Sequence, residues 1–153
     1  MRWTLLVAVT IALVSCGSTQ ETSSPREPGN LEIETDEGPV NLEGEIADEP
    51  DERATGLMNR EELAPYDGMA FVWEDPVHTT FWMKDTLIPL SIAFWDEGGR
   101  IVAILDMDPC EADPCPTSDP GEEFVGAVEV RQGLLSIRGV EVGDHVELAS
   151  SDR

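Results

Sequence analysis

The stretch Thr79-Thr-Phe-Trp-Met-Lys-Asp-Thr-Leu-Ile-Pro89 carries two aromatic residues, a methionine and the only lysine of the chain in four consecutive positions, Phe81 to Lys84. A mainly apolar run of this length ending at a proline reads as a strand. Side chains alternate across a sheet, so Phe81, Met83 and Asp85 share one face and Thr80, Trp82, Lys84 and Thr86 the other. The first set reads as core, Asp85 excepted. The second joins an aromatic plane, a cation and two hydroxyls, and is the place to look for a ligand site.

Outward from this strand, the chain reads as a series of short strands. Leu31 to Thr35 alternates, Asp36-Glu-Gly38-Pro39 turns, and Val40 to Ala47 alternates again, which predicts a hairpin. Asp48 is placed to cap a helix with Pro50 in its first turn, running to about Leu63. Ala54, Leu57, Met58 and Leu63 form its apolar stripe, and Gly56 inside it implies close packing. Further strands are expected over Met69–Trp73, with a turn at Glu74-Asp75-Pro76, then over Leu90–Trp95 and Arg100–Met107 around Asp96-Glu-Gly-Gly99. Pro109–Gly121 reads as a loop, Phe124–Val130 as a strand, and Gln132–Arg138 as a short helix ended by Gly139. Val140–Leu148 closes the chain around a Gly143-Asp144 turn. Seven or eight short strands with one or two short helices predict a mainly β fold, a compact β-sandwich or open barrel.

The 153 residues leave room for one domain. With 9 basic against 32 acidic residues the formal charge is -23, so nucleic acid is not an expected partner, because phosphate binding needs clustered Lys and Arg. The N-terminus reads as a leader. Arg2 precedes an apolar run from Leu5 to Val14, too short for the roughly twenty residues of a membrane span but suited to a secretory signal. It ends in Leu13-Val14-Ser15-Cys16-Gly17, which resembles the bacterial lipobox, whose cysteine is lipidated and becomes the new N-terminus. Residues 1–15 are accordingly expected to be a signal peptide and Cys16 the lipidation site. Diacylglycerol supplies two chains, enough for stable anchoring. Cleavage before Cys16 removes Arg2, and the charge becomes 8 minus 32, or -24; anionic lipids repel such a body, so the expected attachment is covalent. Residues 16–30 read as a tether rich in Ser, Thr, Glu, Pro and Gly, with a reach of roughly 20 Å. Residues 31–149 then form the domain and 150–153 a tail. The protein is expected on the extracytoplasmic face of the cell membrane, as a monomer.

Cys110 and Cys115 stand in Pro-Cys-Glu-Ala-Asp-Pro-Cys-Pro. In an exported chain a close pair of this kind is most simply a disulfide, worth about 2 kcal/mol in the chain-entropy model. A thiolate metal site gathers four ligands, and His78 and His145 are isolated in sequence, so no metal or other cofactor is expected.

Several of these segments also recur together as a known pattern. Gly56-Leu-Met-Asn-Arg60, Gly68-Met-Ala-Phe71, Phe81-Trp-Met-Lys-Asp-Thr86, Ile88-Pro-Leu90 and Gly143-Asp144 resemble, in order, domain-of-unknown-function family 192, a small bacterial and archaeal domain. The resemblance runs from about Leu31 to Leu148 and implies a compact, jelly-roll-like β fold with a short helix; the family name carries no biochemical activity. The chain departs from the family's pattern in carrying Asp85 where Asn is frequent and Ser91 where Asp is frequent.

For function, Arg53 and Arg60 from the predicted helix, Glu129 from a later strand, and Trp82, Lys84, Asp85 and Thr86 are the candidates for binding a polar, anionic or sugar-like small ligand, or a cell-envelope protein. The plainer alternative is that Lys84 pairs with a neighbouring carboxylate and staples the sheet. No catalytic residues are assigned: the chain has no nucleophile elbow, no His-Glu-x-x-His and no phosphate-binding glycine loop, which leaves a small envelope hydrolase as an alternative without a motif. Copper handling through Met58, Met69, Met83 and Met107 is a further alternative, although each lies in an apolar pattern that reads as core.

Overall fold

The computed structural model describes residue 26 and residues 28–149. The expected signal peptide, the lipidation site Cys16 and the 150–153 tail lie outside the described residues.

The predicted hairpin is present. Strand β1 (Pro28–Thr35) pairs antiparallel with β2 (Gly38–Ala47), Leu31 opposite Leu42 and Ile33 opposite Val40. These four side chains are buried, as alternation requires. β1 begins at Pro28, three residues inside the stretch expected to be tether.

Helix α1 (Pro50–Thr55) is much shorter than its apolar stripe suggested. It ends at Gly56, whose φ of +47° only glycine adopts without strain, and a β-carbon there would press on the Phe71 ring at 3.4 Å. Its N-cap is Glu49 rather than Asp48, with the Glu49 N–H donating to the Glu52 carboxylate at 3.4 Å. Leu57 and Leu63 are buried from the irregular segment that follows, while Ala54 is exposed.

This helix serves as a crossover. β3 (Gly68–Val77) lies parallel to β2, with Gly44 opposite Gly68 and Ala47 opposite Phe71, and a parallel neighbour needs such a connection. β3 runs on through Glu74-Asp75-Pro76, where a turn was expected, with a register shift between Val72 and Val77. Further along the chain come β4 (Phe81–Trp82), β5 (Leu90–Trp95), β6 (Ile101–Met107), β7 (Thr117–Ser118), β8 (Phe124–Arg131), helix α2 (Leu134–Ile137) and β9 (His145–Ala149).

Seven strands form one mixed sheet in the order β6-β5-β8-β3-β2-β1-β9, and β4 pairs with β7 in a separate two-stranded sheet. The two edges of the large sheet approach each other at one end, where Arg100 bridges to His145 and the Val146 N–H donates to the Gly99 carbonyl at 2.7 Å. The sheet is not closed into a barrel. The expectation of a mainly β fold with one or two short helices holds, and two are present.

Both faces of the sheet are covered. On the first, Leu31, Ile33, Val40, Leu42, Trp95 and Ile101 pack with Leu135 of α2. On the second, Leu57, Leu63, Met83 and Ile88 from the connecting segments cover Phe71, Ile92, Phe94 and Phe124. Central β5 and β8 feed both, so β5 reads as an unbroken apolar run apart from Ser91.

Candidate functional site

The site lies on the second face, where the motif strand crosses it. That strand is only two residues long. After Trp82 the backbone turns, with the Thr86 N–H donating to the Met83 carbonyl at 3.2 Å and Asp85 at φ +55°. The third position of such a turn favours glycine or asparagine. The Asp85 carbonyl in turn accepts the N–H of Asn59, itself at φ +61°, at 2.7 Å. The alternation expected through Thr86 therefore fails beyond Trp82. Asp85 is exposed and occupies a backbone-geometry position, which also accounts for asparagine as a natural residue there. Phe81 does what its face predicted: its ring lies edge-on to Phe71 at 5.1 Å and Phe94 at 5.5 Å.

Between this strand and α1 lies a cleft of about 590 Å³, lined by Arg53, Trp73, His78, Thr79, Thr80 and Trp82, among others. Phe71, Phe81, Trp82 and Arg53 also line a smaller recess of about 40 Å³, which reaches Thr86 and Glu129. Four of the seven candidates, Arg53, Trp82, Thr86 and Glu129, are thus brought together. Lys84 stands beside them, its Nζ 5.4 Å from the centre of the Trp82 ring, and Trp82 is 47% exposed. Arg60 lines neither cavity; it forms an ion pair with Glu45 at 2.5 Å. No ion pair of Lys84 with a carboxylate occurs among the described residues, so the staple reading has no partner for it there.

Arg53 is held by neutral groups. Its Nη1 donates to the carbonyls of Val72, at 2.9 Å, and Asp48, and its guanidinium lies 5.1 Å from the Trp73 ring. Glu129 sits on β8 between its cross-strand neighbours Met69 and Ile92. It is 5% exposed, and among the described residues its side chain has neither a hydrogen bond nor an ion pair. Burial pushes its carboxyl up to about 8, because the charged form has lost its water. It therefore holds its proton at neutral pH and can donate as well as accept a hydrogen bond.

Sequence reasoning missed His78 and Trp73 as lining residues. His78 Nε2 lies 3.1 Å from Asp119 Oδ1, and the Asp119 carboxyl is lowered first by the Gly121 N–H and then by His78. The pairing of β4 with β7, Phe81 opposite Ser118 and Trp82 opposite Thr117, sets this wall of the cleft. A two-residue strand leaves no pattern to read. The Cys110–Cys115 disulfide expected just before it is present, with Cα atoms 5.5 Å apart.

The second departure from the family pattern also finds its place. Ser91 is buried; its Oγ donates to Asp106 Oδ1 at 2.5 Å and accepts the Gly133 N–H at 2.9 Å. Asp106 is its cross-strand partner, so a neighbouring strand supplies the carboxylate. Among the described residues no three His, Cys, Asp or Glu side chains cluster as a metal site. Met69, Met83 and Met107 are buried in the second core, and Met58 borders the recess. No helix among them is long and apolar enough to cross a membrane.

Two crystal structures share this architecture. A Sinorhizobium meliloti 1021 protein described as a candidate transcription regulator is 28% identical with a TM-score of 0.73, over 82% of this chain and 97% of that one. A Novosphingobium aromaticivorans DSM 12444 protein of unknown function is 27% identical with a TM-score of 0.72, over 92% and 99%. No curated protein is significantly similar to the chain. The family model DUF192, described as "Uncharacterized ACR, COG1430", matches residues 31–148, the whole span from the first hairpin to the last strand. The protein belongs to domain-of-unknown-function family 192.

Proposed function

We propose that this protein is a small binding module, held outside the cytoplasmic membrane by a lipid on Cys16, that takes a polar, sugar-like ligand in the cleft between α1 and the motif strand. The observation carrying the reading is the convergence of Arg53 from α1, Trp82 and Thr86 from the motif segment, and Glu129 from β8 on one recess, two of whose walls, Arg53 and Trp82, also line the adjoining cleft. Such sites combine a largely apolar lining with a few placed polar groups. Trp82 supplies a half-exposed flat platform, Thr79 and Thr80 supply hydroxyls, and among the described residues Arg53 has no carboxylate paired with it. The sequence of Leu5 to Gly17 supports the anchor.

A ligand specific to the native state raises its melting temperature by mass action. A thermal-shift panel of neutral sugars, amino sugars, cell-wall fragments and anionic metabolites should yield at least one compound that stabilises the wild-type chain and not Trp82→Ala. A panel in which no polar compound shifts the wild type would sink the binding reading.

A further inference from the structure

Among the described residues three polar side chains are buried, and two of them are accounted for. Ser91 is held from both sides, and the Thr86 hydroxyl donates to the Lys84 carbonyl at 3.4 Å. Glu129 alone opens into a cavity with no partner among the described residues. A carboxyl kept in such surroundings costs stability unless something completes it.

We propose that the recess is a subsite for a primary ammonium group, carried by a ligand whose polar body lies in the adjoining cleft. This names the ligand class of the binding site above and rests on that reading. The size fits. About 40 Å³ holds one small group, against roughly 10–15 Å³ needed to admit a single water on the same measure. The walls fit too: a carboxyl with the aromatic side chains of Phe71, Phe81 and Trp82 around it is a setting in which a desolvated ammonium can be held by ion pairing.

The field points the same way. The chain carries a formal charge of -23, and the segments leading to the cleft walls are acidic, with Asp48, Glu49, Asp51 and Glu52 around Pro50, and Glu74 and Asp75 ahead of Val77. Such a surface attracts cations and repels anions. Besides Glu129, the ionisable group lining the recess among the described residues is Arg53 of α1, with Lys84 standing nearby over the Trp82 ring; β3 and β5 flank Glu129 with Met69, Phe71 and Ile92, which are apolar. Arg53 is bound to two carbonyls and Trp73, and neither cation forms an ion pair with Glu129. The carboxyl is left for the ligand, in a space that suits a compact ammonium better than a planar guanidinium.

An ammonium that enters displaces the Glu129 proton to solvent and leaves an ion pair. Because the carboxyl titrates at about 8, its ionised fraction rises about tenfold between pH 7 and pH 9, and affinity for a cation that stays protonated should tighten by about the same factor.

Methylammonium chloride is the smallest probe. It would be titrated into the full chain at pH 7 and pH 9 while the 13C-methyl signals of Leu57, Met58 and Thr86 are followed, with methanol and salt-matched sodium chloride as controls. The expected result is a saturable shift with methylammonium alone, about tenfold tighter at pH 9 and absent in Glu129→Gln. Should that variant misfold, the Glu129 side-chain carbon of the wild type gives the same answer, since methylammonium should lower its titration midpoint. Methylammonium that fails to saturate at either pH, or that leaves the midpoint unmoved, overturns the proposal. Saturation by methanol but not methylammonium also overturns it, while leaving the cleft as a site for uncharged ligands. The loss of every thermal shift in the sugar panel would instead remove the cleft reading itself.

Discussion

The two faces of the large sheet are built from the same strands and differ in how they treat a buried polar group. On the first face Ser91, the polar interruption in β5, is satisfied twice, by Asp106 and by the Gly133 N–H. On the second face Glu129, also on a central strand, has no partner among the described residues and opens into a recess beside the cleft. The lining differs as well: the first face is largely aliphatic and is roofed in part by α2, whereas the second is crowded with aromatic rings and roofed by loops, a short helix and a two-stranded sheet. What separates the two is reach: a neighbouring strand and a loop N–H come within hydrogen-bond distance of Ser91, whereas among the described residues no group does so for the Glu129 carboxyl.

The contrast is sharpest in its dependence on pH. The Glu129 carboxyl releases its proton near its ordinary value of 4.5 in the unfolded chain but near 8 in the folded one. Between these values the folded state binds more protons, so this group makes stability fall as pH rises, by about 1.4 kcal/mol per pH unit, and its effect levels off above 8. Glu129→Gln should remove that slope, and urea unfolding of both proteins at pH 5, 6.5 and 8 measures it. Parallel curves for the two proteins would show that Glu129 is solvated or paired and would erase the difference between the faces. Next in size, Ser91→Ala should cost about 1–2 kcal/mol, because the Gly133 N–H loses its acceptor; the same urea series should report it. The smallest effect is expected at the margin of the site. Asp85→Asn should raise stability by roughly 0.5 kcal/mol, since asparagine suits the left-handed backbone there; a lower melting temperature would mean that the carboxylate has a role the geometry does not show.

What was legible in the sequence follows from how local each signal is. The β1–β2 hairpin and the β5–β6 pair could be read because alternation and a turn lie within a few residues of one another. The length of α1 could not: Leu57 and Leu63 keep a helical spacing by coincidence, and only the positive φ of Gly56 shows that they are buried from a loop. The parallel β2–β3 pair and the two-residue β4–β7 pair join segments far apart in the chain and imprint no periodicity on either. For the site, residue chemistry singled out Arg53, Trp82, Thr86 and Glu129 before any geometry. It also advanced Arg60, which an ion pair with Glu45 removes from both cavities, and Asp85, which a turn exposes. That Glu129 is buried without a partner is a relation among four elements and could not be read from any one of them.

The bridge between Arg100 and His145 bears on how the sheet meets other chains. An open sheet ends in two rows of unpaired backbone groups that can recruit a strand from another copy. Here the ends of β6 and β9 spend part of those rows on each other, through the Ile101 N–H to the Asp144 carbonyl at 2.9 Å and the Val146 N–H to the Gly99 carbonyl at 2.7 Å. Fewer backbone groups at that end are therefore left to template a strand from another copy, and a formal charge of -23 adds repulsion between copies.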